Sequence, residues 1–167
     1  MSKKATIRDN YYTPPVALEA LYPYINKESR IWEPAAGDGF LSNALSSKGF
    51  NVTSTDIKTG ICFLTSEPPE YDIMITNPPF SLKTEFLNRA FSLGKPFAML
   101  LNIDSLGGKG RQKLFKQYGI QLIMLGGRLH FQTPHLKTST PNFETAWFCW
   151  QMKLPEQLNF ITLASYK

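Results

Sequence analysis

Cysteine and histidine are scarce in this sequence of 167 residues, which contains two of each. The cysteines, Cys62 and Cys149, lie far apart in loop-like or strand-like contexts. We therefore interpret them as reduced packing thiols of a cytosolic protein and not as a disulfide. No group of cysteines and histidines has the spacing of a metal site, so no bound metal is predicted.

Long apolar runs are also missing. No stretch approaches the roughly 20 apolar residues that a membrane helix needs, and residues 1–4 do not begin an apolar signal segment. These absences predict a protein without membrane contact that works in the cytoplasm, or in the host cytoplasm if a phage encodes it. The length predicts one domain over residues 1–167, too short for a catalytic domain plus a large recognition domain.

Acidic residues are fewer than basic ones, with 13 Asp and Glu against 18 Lys and Arg and a net charge of +5. Part of the excess lies in a glycine-rich segment directly after the apolar run 97–101. Its basic residues are Lys109, Arg111, Lys113 and Lys116. A basic segment at the carboxyl edge of a sheet suits contacts with nucleic-acid phosphates. The alternative is a solvated loop and helix start.

Apolar runs and amphipathic segments alternate along the chain, which is typical of a doubly wound α/β fold. We predict strands at 30–32, 51–55, 71–76, 97–101, 120–125 and 144–150, the last being the final strand of the sheet. Helices are predicted at 16–24, 40–48 and 82–93, and a basic helix is predicted to end at about Tyr118. The sheet is expected to be mostly parallel with a terminal antiparallel hairpin at its edge, and helices are expected on both faces.

A glycine-rich turn connects the first predicted strand to a helix and reads Glu33-Pro34-Ala35-Ala36-Gly37-Asp38-Gly39. Gly37 and Gly39 permit backbone angles closed to other residues and let the main chain approach a ligand. The turn is not a dinucleotide fingerprint, because the three-glycine spacing is missing. Asp56 ends the second predicted strand, where a doubly wound sheet binds ribose hydroxyls; the alternative is an ordinary turn aspartate.

The third predicted strand ends in Asn77-Pro78-Pro79-Phe80. Asn77 offers a side-chain carbonyl and Pro78 a backbone carbonyl, and the prolines remove N–H donors from the turn. Phe80 offers a flat face on which a base extracted from its helix can stack. The alternative is a proline turn that closes a strand, with Phe80 in the core.

Together, the two motifs resemble the amino-methyltransferases that use S-adenosylmethionine, and especially the small bacterial and phage DNA N6-adenine methyltransferases. The resemblance implies a Rossmann-like methyltransferase sheet and catalysis by Asn77, Pro78, Pro79 and Phe80. The adenine N6 is a poor nucleophile because its lone pair is delocalised into the ring. Two carbonyl acceptors would favour a pyramidal nitrogen, so catalysis would need preorganised hydrogen bonds and no titrating base.

The resemblance also implies how the cofactor is held. Glu33 would lie near its methionine ammonium, Asp56 would bind the ribose, and Ile57 would pack on the adenine. Near the N-terminus, Tyr11 and Thr13 would bind its carboxylate, unless this segment is only a proline-rich lead-in to a helix. Cys62-Phe63 stands where the family has an Asp-Phe pair. The full predicted set is Tyr11, Thr13, Glu33, Pro34, Ala35, Gly37, Asp38, Gly39, Asp56, Ile57, Cys62, Phe63 and Asn77.

The region 128–143 resembles the part of these methyltransferases that lines the target base. Phe131, the 132–143 loop and Asn142-Phe143 would lie there, with His130 as a pocket-wall or surface residue and not a catalytic base. The predicted nucleic-acid contacts are Lys109, Arg111, Lys113, Lys116, Arg128, His130, Phe131, Lys137 and Asn142.

The sequence thus predicts methyl transfer to adenine N6 in DNA, since Asn77 and Phe80 favour adenine over N4 of cytosine. The alternatives are the same reaction on RNA, glutamine methylation of a release factor, and a non-catalytic subunit with this fold. Because only the short segments 104–117 and 132–143 could read bases, we expect short or relaxed sequence specificity. A second subunit that supplies recognition is the other outcome left open.

Overall fold

The computed structural model describes residues 12–131 and 143–163, which form one seven-stranded sheet flanked by helices. The strands are β1 (Arg30–Glu33), β2 (Asn51–Ser54), β3 (Ile73–Thr76), β4 (Phe97–Asn102), β5 (Gln121–Met124), β6 (Thr145–Trp150) and β7 (Leu158–Phe160). The helices are α1 (Val16–Glu19), α2 (Phe40–Ser47), α3 (Lys83–Leu93) and α4 (Lys109–Tyr118). Among the described residues, no helix is both long and apolar enough to cross a bilayer.

The strand order is β2-β1-β3-β4-β6-β5-β7. β1 pairs in parallel with both β2 and β3, and β3 pairs in parallel with β4. β6 runs antiparallel to β4 and β5, so the predicted mostly parallel sheet with antiparallel strands is confirmed. The chain moves outward from β1 to β2 and then crosses to β3 on the other side. That reversal opens a crevice at the carboxyl ends of β1 and β3.

Helices cover both faces of the sheet, as predicted. Ala98 and Leu100 of β4 pack with α1 and α2, whereas Phe97, Met99 and Leu101 pack with α3 and α4. We refer to these as the α1–α2 face and the α3–α4 face. β4 is buried on both sides because the side chains of a strand alternate between its faces.

The first predicted helix is shorter than expected. The pattern predicted a helix over 16–24, but α1 ends at Glu19 and a 3₁₀ turn follows at Tyr22–Tyr24. Pro23 explains the break, since proline has no N–H to donate and its ring clashes with the carbonyl four residues earlier.

The prediction that 144–150 is the final strand, in a hairpin at the sheet edge, is wrong. β6 lies inside the sheet between β4 and β5, and β7 extends the sheet by pairing in parallel with β5. β7 was not recognised as a strand because its burial is the reverse of the usual alternation. Its apolar residues Leu158 and Phe160 are exposed, and its polar residue Asn159 is buried. The Asn159 amide donates to the carbonyl of Leu122 on β5 at 3.1 Å and so satisfies its buried polar group.

Candidate cofactor and catalytic site

The glycine-rich turn and the Asn77 motif meet at the crevice between β1 and β3. These strands pair with Ile31 opposite Ile73 and Trp32 opposite Met74. Continuing this register places Glu33 level with Ile75, and Asn77 follows two residues later, about 7 Å further along the strand direction. The motifs that are distant in sequence therefore emerge from adjacent strands at one edge, which we call the carboxyl edge.

Glu33 is a buried carboxylate with only 2% of its surface exposed. Ser42, in the first turn of α2, lies beside this carboxylate and opposes the rise in its pKa. The Ser42 hydroxyl donates to the Gly39 carbonyl at 3.1 Å, and Glu33 Oε2 has no hydrogen-bond partner. Burial raises the pKa of Glu33 to about 7. A buried acceptor without a donor is costly, so this site fits a cationic hydrogen-bond donor. Ser42 lies three residues after the glycine-rich turn. The sequence alone predicted no role for it.

The glycine-rich turn is tied to the turn that follows β2. Gly37 and Gly39 have φ of +56° and +80°, which explains why glycine stands at both positions. The Gly37 N–H donates to Asp56 Oδ2 at 2.8 Å, and the Lys58 N–H donates to Asp56 Oδ1 at 2.8 Å. Asp56 therefore does organise the turns. Each carboxylate oxygen keeps a further lone pair, and the ribose contact stays a prediction.

The residues expected near the adenine differ in exposure. Ile57 is 70% exposed, although it is a large apolar residue next to Asp56. Phe63 is buried on the α3–α4 face, where its ring stacks on Phe86 at 4.6 Å and contacts Trp32 at 5.4 Å. The ring of Phe63 therefore packs in the core, and its predicted cofactor contact is not supported. Cys62 is half-buried beside it.

Tyr12 lies against the glycine-rich turn, a contact that the sequence did not predict. Its hydroxyl hydrogen-bonds to Asp38, and its ring stacks on Phe40 with centroids 4.3 Å apart. The second carboxylate oxygen of Asp38 accepts from Lys58 Nζ at 2.8 Å, and Lys58 lowers the pKa of Asp38. Both oxygens of Asp38 are thus engaged. Thr13 is buried next to this contact, and Tyr11 lies outside the described residues.

The Asn77-Pro78-Pro79-Phe80 motif, which is predicted to be catalytic, lies partly open at the carboxyl edge. Asn77, Pro79 and Phe80 are half-buried, and Pro78 is buried. The ring of Phe80 meets that of Phe143 edge-on, with centroids 5.4 Å apart and planes at 71°. Phe143 directly precedes the β6 region, so an aromatic residue from a distant part of the chain borders the motif.

The predicted basic cluster is only partly a surface stripe. Lys109, Lys113 and Lys116 are exposed, and their spacing places them on one side of α4. Arg111 instead donates from Nε to the Ser105 carbonyl at 2.7 Å and from its guanidinium to Thr84 Oγ1 at 2.9 Å. Arg111 therefore ties α4 to α3, and its predicted phosphate contact is not supported. α4 begins at the carboxyl edge and runs away from it, so Lys109 is the lysine of α4 that lies nearest this edge.

The residues predicted to contact nucleic acid after β5 also differ in exposure. Arg128 and His130 are exposed, whereas Phe131 is fully buried in the α1–α2 face. Phe131 is thus a core residue, and a direct contact with a base is not supported. Lys137 and Asn142 lie outside the described residues. Within the described part of the chain, no group of three or more His, Cys, Asp or Glu side chains could hold a metal ion.

No family model matches the chain. In an alignment of 112 positions that covers 62% of this chain, the chain is 32% identical to the type II methyltransferase M.EcoRI of Escherichia coli. The match spans 34% of that protein.

Solved structures extend the likeness to the whole fold. A dimethyladenosine transferase from Plasmodium falciparum superposes with a TM-score of 0.56 at 12% identity, over 84% of this chain and 61% of that one. A Listeria monocytogenes protein assigned to the class I S-adenosylmethionine-dependent methyltransferases superposes with a TM-score of 0.56 at 13% identity, over 91% and 63%.

The chain has the fold of the S-adenosylmethionine-dependent methyltransferases. The predicted Rossmann-like sheet is therefore confirmed, and the resemblance stated from the motifs is confirmed by the similarity to M.EcoRI. S-Adenosylmethionine, the predicted cofactor, is also the cofactor named for the Listeria protein.

Proposed function

We propose that this chain transfers a methyl group from S-adenosylmethionine to N6 of adenine in DNA, acting on a base flipped out of the duplex. The observation that carries the proposal is the pairing of β1 with β3. That pairing brings a buried carboxylate with an unsatisfied oxygen next to the strand that ends in Asn77. The two halves of a methyl-transfer site, one for the cofactor and one for an amine, thus share one crevice.

The residues of the crevice fit S-adenosylmethionine. Its ammonium group would donate to Glu33 Oε2, which lacks a partner in the protein, and its ribose hydroxyls would donate to the Asp56 carboxylate. Ile57, exposed at the same turn, would pack on the adenine ring. When bound, the cofactor supplies an electrophilic methyl group attached to a positively charged sulfur.

The Asn77 motif would prepare the target amine. The Asn77 side-chain carbonyl and the Pro78 backbone carbonyl would each accept one amino hydrogen, and Phe80 would stack on the base. These contacts shift the nitrogen lone pair out of conjugation and hold it in line for attack. As the N–C bond forms, the methyl carbon would leave its sulfur, which keeps the bonding electrons. The cationic nitrogen would then release one proton to water, so no side chain needs to act as a base.

DNA is favoured as the nucleic acid, because the chain is similar to a type II methyltransferase. The exposed lysines of α4 suit phosphate contacts that carry no sequence information. We therefore propose short or relaxed sequence specificity for this chain, with phosphate contacts contributing most of the affinity. A second subunit that adds recognition would change specificity and leave the crevice unaltered.

The decisive experiment incubates the purified protein with S-adenosylmethionine labelled in its methyl group and, separately, with DNA, RNA and protein pools. We expect label in DNA, recovered as N6-methyladenine after enzymatic digestion. Label in RNA or in glutamine side chains would replace the proposal by the corresponding alternative. Cofactor binding by calorimetry without transfer to any pool would favour a non-catalytic subunit.

A further inference from the structure

A cavity of about 290 Å³ opens beside the catalytic motif and plays no part in the steps described above. Its walls come from three neighbouring places at the carboxyl edge: the residues after β4, the segment after β5, and the residues before β6. The lining side chains are those of Ile103, Asp104, Arg128, Phe143 and Glu144.

The backbone holds these walls in a defined position. The antiparallel pairing of β4 with β6 continues past Asn102 and Thr145, because the Ile103 N–H donates to the Glu144 carbonyl at 3.0 Å. Ile103 packs against the core of the α3–α4 face. The Asp104 carbonyl accepts from the Gly107 N–H at 3.0 Å, which closes the turn that leads to α4.

The cavity lies within about 10 Å of the strand end that carries Asn77, which corresponds to one to three nucleotide steps. β4 and β6 are the first and second strands beyond β3, so their ends lie about 5 and 10 Å from the end that carries Asn77. Successive nucleotides along one strand of DNA are about 3.4 Å apart. Phe143 joins the two places, since its ring contacts Phe80 on one side and lines the cavity on the other.

The chemistry of the lining disfavours a phosphate and favours a base. The lining residues include two acidic ones, Asp104 and Glu144, and one basic one, Arg128, so their net charge is negative and disfavours a phosphate. Carboxylates accept hydrogen bonds from the exocyclic amino groups of cytosine, adenine and guanine, whereas thymine has no such group. A metal ion is a poor fit, because the described residues bring no third carboxylate, histidine or cysteine to this place.

We propose that this cavity reads a base that flanks the target adenine, and that Asp104 and Glu144 select bases with an exocyclic amine against thymine. The inference rests on the proposed function. Under this inference, the chain recognises a short sequence. Hydrogen bonds read one position next to the target adenine, and the lysines of α4 contact the DNA backbone.

The experiment measures kcat/KM on a set of DNA duplexes with one target adenine, in which each of the two positions on either side carries each of the four bases in turn. At one position, we expect thymine to lower kcat/KM roughly 10- to 100-fold. A duplex with 5-methylcytosine at that position is the matched probe, since it keeps the methyl group of thymine and restores the amine. It should react like the cytosine duplex.

Variants assign the effect to the cavity. Asp104→Ala and Glu144→Ala should each lower kcat/KM on the cytosine duplex towards the value for the thymine duplex, and so reduce the discrimination against thymine. Glu28→Ala, which removes an exposed carboxylate at the opposite edge of the sheet, should keep full discrimination. Thermal unfolding of each variant shows that the fold is kept.

The outcomes separate the two proposals. Equal rates with all four bases, or discrimination that persists in both cavity variants, would overturn the cavity inference while methyl transfer to adenine stands. An absence of transfer to every duplex would overturn the proposed function and this inference with it.

Discussion

Two acidic residues at opposite edges of the sheet, Asp72 and Glu33, have opposite environments. At the amino edge, the Arg30 guanidinium donates to both oxygens of Asp72, at 3.0 and 2.7 Å, and forms an ion pair with Glu70 at 2.6 Å. Arg30 holds the pKa of Asp72 well below its usual range. At the carboxyl edge, Glu33 is buried, one of its oxygens has no partner, and desolvation raises its pKa to about 7.

This difference is the one expected between an acidic residue that stabilises the fold and one that binds a ligand. A partly exposed ion pair such as Arg30–Asp72 needs nothing further. The buried Glu33 carboxylate destabilises the free protein near neutral pH, because its charged form is poorly solvated. Perturbed carboxylates of this kind cluster at functional sites. Variants at each edge test this difference.

The largest effect is expected at the catalytic amide. Asn77→Ala removes one of two acceptors at the target amine, so methyl transfer should fall at least about a hundredfold, as when one preorganised hydrogen-bond partner is deleted. Cofactor affinity, measured by calorimetry, should stay within a few-fold. The control is Asn88→Ala, which removes an exposed amide on α3. Turnover near that of the unmodified protein would refute the role of Asn77.

The second prediction concerns Glu33, where one substitution should weaken cofactor binding and stabilise the free protein. Glu33→Gln should weaken cofactor binding, because the ammonium loses its carboxylate, by about 1.5–3 kcal/mol. The same change should stabilise the free protein by roughly 2–3 kcal/mol at pH 8, since the buried charge is gone. Calorimetry and denaturant unfolding measure the two quantities. Glu70→Gln at the amino edge should not stabilise the protein.

The pH dependence of the Glu33 effect follows from its raised pKa. Between the ordinary value of 4.5 and about 7, the folded protein holds a proton that the unfolded chain has lost. The contribution of Glu33 to stability therefore falls as the pH rises through this window. The stability gain of Glu33→Gln should be absent below about pH 4.5 and complete above about pH 7. A gain independent of pH would show that the charge is not its cause.

A smaller effect is expected on the outer surface of α4. Replacing its three exposed lysines by Gln should weaken DNA binding at all sequences alike and flatten the salt dependence by up to about three charges' worth of slope. The replaced residues are Lys109, Lys113 and Lys116. The control replaces Lys27, Lys48 and Lys153, which changes the net charge equally. An unchanged salt slope would assign the α4 stripe to solvent.

The smallest effect on activity is expected at the amino edge. Asp72→Asn should leave methyl transfer within about twofold, as for a surface change far from the reaction. It should lower the unfolding temperature above about pH 4, because the ion pair with Arg30 contributes only while Asp72 is charged. The loss should shrink as the pH falls below that value. A thermal melt at several pH values checks both signs.

The elements that local chemistry controls could be predicted from the sequence. The strand–turn–helix around Gly37 and Gly39 and the strand before Asn77 occur where expected, since glycine, proline and a short apolar run act within a few residues. α1 and β7 were not predicted correctly. Pro23 shortened α1, and β7 has an apolar–polar alternation that points the wrong way for a strand with one buried face.

The site was predicted less completely than the fold. Glu33, Asp56 and Asn77 lie at the crevice, and their roles stay predictions. Arg111 and Phe131 looked like surface contacts, but one ties two helices together and the other is fully buried. Charge and aromatic character show which contacts a residue could make. They do not show which partner is near enough to make them.

The sequence by itself determined the two motifs, their separation along the chain and the α/β alternation that brings strand ends to one edge. The tertiary structure alone decided that β3 lies beside β1 and that β6 lies between β4 and β5. This strand order places Glu33, with its unsatisfied oxygen, beside the strand that leads to Asn77. It also brings Phe80 into contact with Phe143 and forms the cavity that Asp104 and Glu144 line. Strand order depends on which buried faces pack best over long sequence separations, and no local pattern encodes that choice.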